Sequence, residues 1–240
     1  MSAPRPFVVD PDVLARIRPM QARDAEAVAK LHHAAMGNSL WARIGLRFLT
    51  VLYRSLVDSE GFIAFVYAEP DAEGTHRVRG FIAGSTDTDT MLHRTFRRAW
   101  FLLGPAALPG ALRPDVLGQL RETGRYAQAS GEGLPPGCTA ESLFCSFAPD
   151  LRGKRISGHI NKVLFDDLAS RGHEWVKITT EANNEAALRQ LHSWGFEDHH
   201  QFRFYGKDMV ALVLNLAASP RVDSIGRHPM LERPEASSRP

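Results

Sequence analysis

Pro149, Arg152, Gly153, Lys154, Arg155 and Gly158 crowd into one short basic turn, directly after the apolar residues Phe144, Cys145 and Phe147. A strand that breaks into such a turn and reopens as a helix presents free backbone N–H groups and cations at a helix N-terminus, which is equipment for holding a pyrophosphate. The helix is legible in the three-to-four spacing of Ile160, Val163, Leu164 and Leu168, and it stops at Arg171 and Gly172. Two phosphate-binding fingerprints do not apply. Lys154 is followed by Arg155 and not by Ser or Thr, which excludes a P-loop, and Gly153 and Gly158 do not give the G-x-G-x-x-G rhythm of a dinucleotide site. The plainer alternative is a solvated, basic helix start.

Other parts of the chain supply the elements that must position this turn. Residues 175–179 alternate like a strand; Asn183 or Asn184 then caps a short helix that carries Ala187 and ends at Gly195 before Phe196. Upstream stand Val78, Gly80 and Gly84 in one apolar stretch, and earlier still Ile17, Arg18 and Pro19 ahead of a helix that begins near Asp24. In this order, over roughly residues 15–214, the chain resembles the GNAT superfamily of N-acetyltransferases. The resemblance implies an α/β (α+β) fold: a central mixed, mostly antiparallel sheet flanked by helices, here with a long helical insert between strands three and four. It also implies acetyl-CoA, or another acyl-CoA, as co-substrate, its pyrophosphate held at Arg152, Gly153, Lys154, Arg155, Ile156, Ser157 and Gly158. Arg155 and Ser157 stand where the family usually has small residues, and glycine there lets backbone approach phosphate.

The chemistry implied is acyl transfer to an amine, which needs a base, a polarised thioester carbonyl and a route for the released proton. By the resemblance Glu141 is the general base. The backbone at Cys145, Phe147 and Ala148 pairs with the pantetheine arm and gives an N–H to the thioester oxygen. Asn184 and Leu191 fall on the cofactor side of the short helix; many relatives have at Leu191 a Tyr that protonates the departing thiolate. His192, about 100° further round the helix, is the substitute candidate. Asp87, Asp89, His93 and His159 carry no motif and read as surface or capping groups.

The 240 residues, 44% hydrophobic and 23% charged, suffice for one sizeable core. The expectation is a single domain over residues 1–216 and a disordered tail over 217–240, rich in Ser, Pro, Arg and Glu. A net charge of +2 argues against nucleic acid as the main partner, and no secretory pattern opens the chain, so a cytoplasmic protein is expected. Cys138 and Cys145 have no partners at metal spacing, which indicates neither a disulfide framework nor a metal site. Helices are expected over 22–36 and 41–56, with the loop 37–40 bordering the acceptor pocket by resemblance, and a hairpin over 61–67 and 77–84.

The insert, about residues 85–138, begins with a helix near 91–103, is broken by Pro and Gly over 104–114, and becomes helical again to about 126. Inserts of this length form lids, binding walls or partner surfaces. Arg94, Arg97 and Arg98 beside Phe96, Trp100, Phe101 and Leu102 suit a packed lid over the pocket, a membrane surface, or an acidic acyl-carrier protein. The expected function is an N-acyltransferase acting on a small-molecule amine, with an amino sugar suiting the bulky insert. A longer-chain transferase using acyl-carrier protein and a catalytically silent acyl-CoA-binding module stay open, as does a homodimer.

Overall fold

Alternating apolar residues such as Ile63, Phe65 and Tyr67 on one face and Val66 on the other force their segment to be buried on both sides, and in the computed structural model it lies inside a seven-stranded sheet. The structure describes residues 9–37, 39–70, 73–111, 113, 116, 119, 126–151 and 153–218. In chain order these give α1 (Pro11–Leu14), β1 (Ile17–Pro19), a 3₁₀ turn (Ala22–Asp24), α2 (Ala25–Ala35), α3 (Leu40–Ile44) and α4 (Leu46–Val57). There follow β2 (Phe62–Pro70), β3 (His76–Ser85), α5 (Thr88–Ala111), α6 (Tyr126–Gly131), β4 (Ala140–Phe147) and a 3₁₀ turn (Pro149–Leu151). The last elements are α7 (Ile156–Ser170), β5 (Trp175–Glu181), α8 (Glu185–Trp194), β6 (Glu197–Phe204) and β7 (Lys207–Asn215).

The strand order is β1-β2-β3-β4-β5-β7-β6, and every neighbouring pair is antiparallel except β4 with β5. On one face α7 crosses β2, β3 and β4, burying Ile160, Leu164, Phe165 and Leu168 against Ile82 and Val176. On the other, α2, α4 and α5 bury Val28, Leu49, Leu52 and Met91 against Phe81 and Ala83. The mostly antiparallel, helix-flanked sheet is the fold class that the resemblance implied.

Several boundaries differ from the sequence reading. The helix expected over 41–56 is two helices, because Gly45 takes φ 128°, a conformation that ends α3 and starts α4. α5 runs unbroken through Gly104, Pro105 and Pro109. Both prolines are exposed, so carbonyls deprived of an N–H partner face water. β6 was not anticipated at all. Much of the helical stretch expected before residue 126, and the tail from residue 219, lie outside the described residues.

Gly84 fixes the spacing at the centre of the sheet: a Cβ there would meet the Glu141 carbonyl oxygen at 2.9 Å and Leu164 Cδ1 at 3.0 Å. Backbone cannot yield as a flexible side chain does. Gly84→Ala is expected to destabilise the fold by about 1–3 kcal/mol, the usual range for overpacking, seen as a melting temperature several degrees lower; an unchanged melting temperature would show that β4 has slack here.

Candidate active site

The two parallel strands part company early. β4 and β5 pair only at Ala140–Val176, Glu141–Lys177 and Ser142–Ile178. Beyond that, β4 stays with β3 to Phe147 and β5 stays with β7 to Glu181, so a gap opens between Leu143–Phe147 on one side and Thr179–Glu181 on the other. The register of β4 shifts where Ala83 faces Phe144 and Gly84 faces Ser142, leaving Leu143 as a bulge. The Ala148 N–H donates to the Arg79 carbonyl at 2.7 Å. By the alternation of an antiparallel ladder, the Ser146 and Phe144 backbone groups also face β3, and those of Cys145 and Phe147 face the gap. The reading that gave the Ala148 N–H to the cofactor is therefore corrected: it is already spent. The Phe147 ring covers Gly80, where a Cβ would come within 2.2 Å of it. Cys145 is half-buried against the core, and its surroundings push its thiol up to about 12 by desolvation.

The basic turn lies at the end of β4. Arg152 is outside the described residues. Gly153, at φ 79°, and Arg155, at φ 57°, both adopt the left-handed conformation, and Gly153, Lys154 and Arg155 are exposed. Arg155 thus holds, as a non-glycine residue, a conformation that costs it on the order of 1 kcal/mol. Within the turn the Lys154 N–H donates to the Leu151 carbonyl and the Gly158 N–H to the Arg155 carbonyl, so these two are internal bonds. The N–H groups of Ile156 and Ser157 lie in the first turn of α7, where no intrahelical acceptor exists. His159, read as a surface group, is buried: its Nε2 accepts from the Asp10 N–H at 2.8 Å, so its proton sits on Nδ1 and is donated to the Arg155 carbonyl at 3.0 Å.

Glu141 is 1% exposed and stands at the last paired rungs of β4 and β5. Thr88 Oγ1 donates to its Oε2 at 2.8 Å, the Tyr126 hydroxyl donates to its Oε1 at 2.7 Å, and Lys177 Nζ lies 3.5 Å from Oε2. Lys177 also donates to Ser130 Oγ at 2.9 Å, and the Tyr126 oxygen is 2.7 Å from Thr179 Oγ1, the first β5 residue beyond the paired rungs. Burial, then the adjacent Glu141 carboxylate, hold the Tyr126 phenol well above its ordinary range. The group borders a cavity of about 350 Å³ lined also by Asp87, Asp89 and Cys138. Sequence reasoning found Glu141 and missed Thr88, Tyr126 and Lys177. Lys177, a lysine inside an apolar strand, was the available signal; its partner follows only from the strand pairing.

A larger cavity, about 920 Å³, lies between the end of α2, the α3–α4 corner, the end of α5 and the β6–β7 turn, with His33, Arg43, Arg113, Tyr205 and Lys207 on its wall. Its walls flank the gap: the Leu31 carbonyl of α2 accepts from Ser146 Oγ on β4, and Lys207 pairs with Glu181 at the end of β5. Tyr205, at φ 50°, and Gly206, at φ 71°, turn the hairpin there.

The short helix α8 is capped by Asn184, whose side chain accepts from the Ala187 N–H at 3.2 Å, and closed by left-handed Gly195. Leu191 is buried in the core. His192 is 2.7 Å from Asp198 on β6, and β6 lies two strand spacings, roughly 10 Å, beyond β5. That position removes His192 from the gap, and it is not retained as a candidate acid.

The chain has the fold of the GNAT acetyltransferases. It matches the crystal structure of SsHAT with a TM-score of 0.59 at 18% identity, over 83% of this chain and 96% of that one. It matches a putative acetyltransferase of the GNAT family from Desulfovibrio desulfuricans with a TM-score of 0.51 at 11% identity, over 83% and 97% of the two chains. No protein-family model matches the chain. Among curated proteins, mycothiol acetyltransferase of Brachybacterium faecium is 35% identical over 65 residues, 26% of this chain and 20% of that protein. This match therefore spans about a fifth of the length of the curated relative.

His32 gives the site a measurable pH signature. Its buried ring packs 4.7 Å from Phe144, with Nδ1 2.7 Å from the Tyr53 hydroxyl and Nε2 3.3 Å from Ser39 Oγ; burial, then His33, push its pKa down to about 4. The unfolded chain protonates this ring near pH 6.5, so its contribution is whole above that value and is lost as pH falls toward 4. The loss amounts to roughly 3 kcal/mol at most. Denaturant titrations across this range should show the decline in the parent protein and a weaker one in His32→Gln; parallel curves would mean the ring is not held neutral.

Proposed function

We propose that the protein transfers an acetyl group, or a similar acyl group, from acyl-CoA to the amine of a small molecule. One observation carries the reading: β4 and β5 part immediately beyond a buried carboxylate, and the gap ends at the N-terminus of α7 with its basic turn. The Cys145 and Phe147 N–H groups would hold the pantetheine arm and the thioester oxygen, and the Ile156 and Ser157 N–H groups, with Lys154, Arg155 and Arg152, the pyrophosphate. The body of the acceptor would sit in the larger cavity, with its amine reaching from there into the gap toward Thr179 and Tyr126.

The proton path runs through Tyr126. Its hydroxyl hands a proton to Glu141 Oε1 while its oxygen takes one from the attacking amine, directly or through the Thr179 hydroxyl. The amine nitrogen bonds to the carbonyl carbon, the carbon–sulfur bond breaks with its electrons on sulfur, and the proton stored on Glu141 returns through Tyr126 to the thiolate. Lys177 and Thr88 keep the carboxylate positioned throughout. This arrangement needs no tyrosine at Leu191.

Glu141→Gln and Tyr126→Phe should each lower kcat about a hundredfold or more, the usual range for a lost general base. Because they share one path, the double variant should be little worse than either alone. Affinity for coenzyme A should barely move. Gly153→Val should abolish the rise in melting temperature caused by coenzyme A, since valine cannot follow φ 79°. Tight coenzyme A binding without turnover on a broad amine panel would instead mark a silent binding module.

A further inference from the structure

α5 buries one side and leaves the other without cover. Met91, Thr95, Ala99, Leu103, Ala106 and Gly110 face the core, while Trp100 is 71% exposed, Phe101 57%, Leu102 51% and Leu108 55%. On the same outer face, one to two turns earlier, stand exposed His93, Arg94, Arg97 and Arg98. Arg94 pairs with Glu60; Arg97 and Arg98 have no ion pair among the described residues. From Thr90 to Ala111 the helix carries no Asp or Glu. This is a helix with aromatic and aliphatic groups on its free side and a cationic flank, whose one neighbouring carboxylate, Glu60, is matched by Arg94.

From this face we infer that the protein docks on an anionic lipid bilayer through the outer side of α5. The geometry favours a bilayer over a protein groove. Trp100, Phe101 and Leu102 are consecutive, so they fan out over roughly 200° of the helix circumference; a groove grips one narrow stripe, whereas fluid acyl chains close around all three. Arg97 and Arg98 reach the phosphate layer while their stems lie along the same apolar surface. The interaction is interfacial, since no helix among the described residues is long and apolar enough to cross a membrane. Pro109 and Gly110, at the end of the same helix, line the larger cavity, so docking brings that cavity to the lipid surface. The inference does not depend on the activity proposed above.

The test uses the full chain and unilamellar vesicles of phosphatidylcholine, alone or mixed in equal parts with phosphatidylglycerol. The protein should sediment with the mixed vesicles, bind phosphatidylcholine roughly tenfold more weakly or worse, and be released by added salt. Tryptophan emission should shift to the blue on binding, and Trp100→Phe should lose most of that shift. Trp100→Ser with Phe101→Ser, and separately Arg97→Glu with Arg98→Glu, should each weaken vesicle binding by roughly tenfold or more without lowering the melting temperature, because all four side chains are exposed. No sedimentation with mixed vesicles would overturn the inference. So would a Trp100→Ser, Phe101→Ser protein that binds vesicles as before but changes from dimer to monomer, which would assign the face to a second copy of the chain.

Discussion

The parallel pairing of β4 with β5 over three rungs is the constraint from which the rest of this site follows. A longer ladder would seal the gap, and none would leave Glu141 without the neighbouring Lys177. The length is set from both sides. β3 holds β4 to Phe147, β7 holds β5 over its whole length from Trp175 to Glu181, and each ladder carries its strand in its own twist. The bulge at Leu143 does the remaining work. It resets the alternation, so that Glu141, Phe144 and Ser146 share the face covered by α2 and α5, and Cys145 and Phe147 turn to the face covered by α7.

Much of this frame was legible because it is local. Pro149, Gly153 and the apolar spacing of Ile160, Val163 and Leu164 state strand, turn and helix within one short stretch, and Asn184 and Gly195 mark both ends of α8 in the way caps usually do. What was hidden depends on partners far away in sequence. β6 reads as polar, with Asp198, His199 and His200 in it, because it is an edge strand with little to bury. α5 survives Pro105 and Pro109 because packing on α3 and α4 outweighs two lost hydrogen bonds. Thr88 and Tyr126 are ordinary in their own segments and gain meaning only when the fold brings them to Glu141.

Arg155 shows how a strained turn position is accommodated. The position needs a left-handed backbone, which glycine gives freely, and the chain meets the requirement with an arginine held at φ 57°. The buried His159 fixes that point: its Nδ1–H holds the Arg155 carbonyl while its Nε2 accepts from the Asp10 N–H. The strain is thus braced from a segment more than a hundred residues upstream, which has no counterpart in the turn's own sequence.

The segment between β3 and β4 supplies the partners of the buried carboxylate. Thr88 begins α5, Tyr126 and Ser130 belong to α6, and together they supply both hydroxyl donors to Glu141 and an acceptor for Lys177. A carboxylate buried to 1% exposure has lost its water, and one ammonium at 3.5 Å does not by itself satisfy both of its oxygens. The two hydroxyl bonds, from Thr88 to Oε2 and from Tyr126 to Oε1, complete that satisfaction. Without α5 and α6 that carboxylate would be left without its hydroxyl partners at the rungs where β4 meets β5. Loss of α5 and α6 is therefore expected to disturb the gap between β4 and β5, because the same three rungs set where the two strands part.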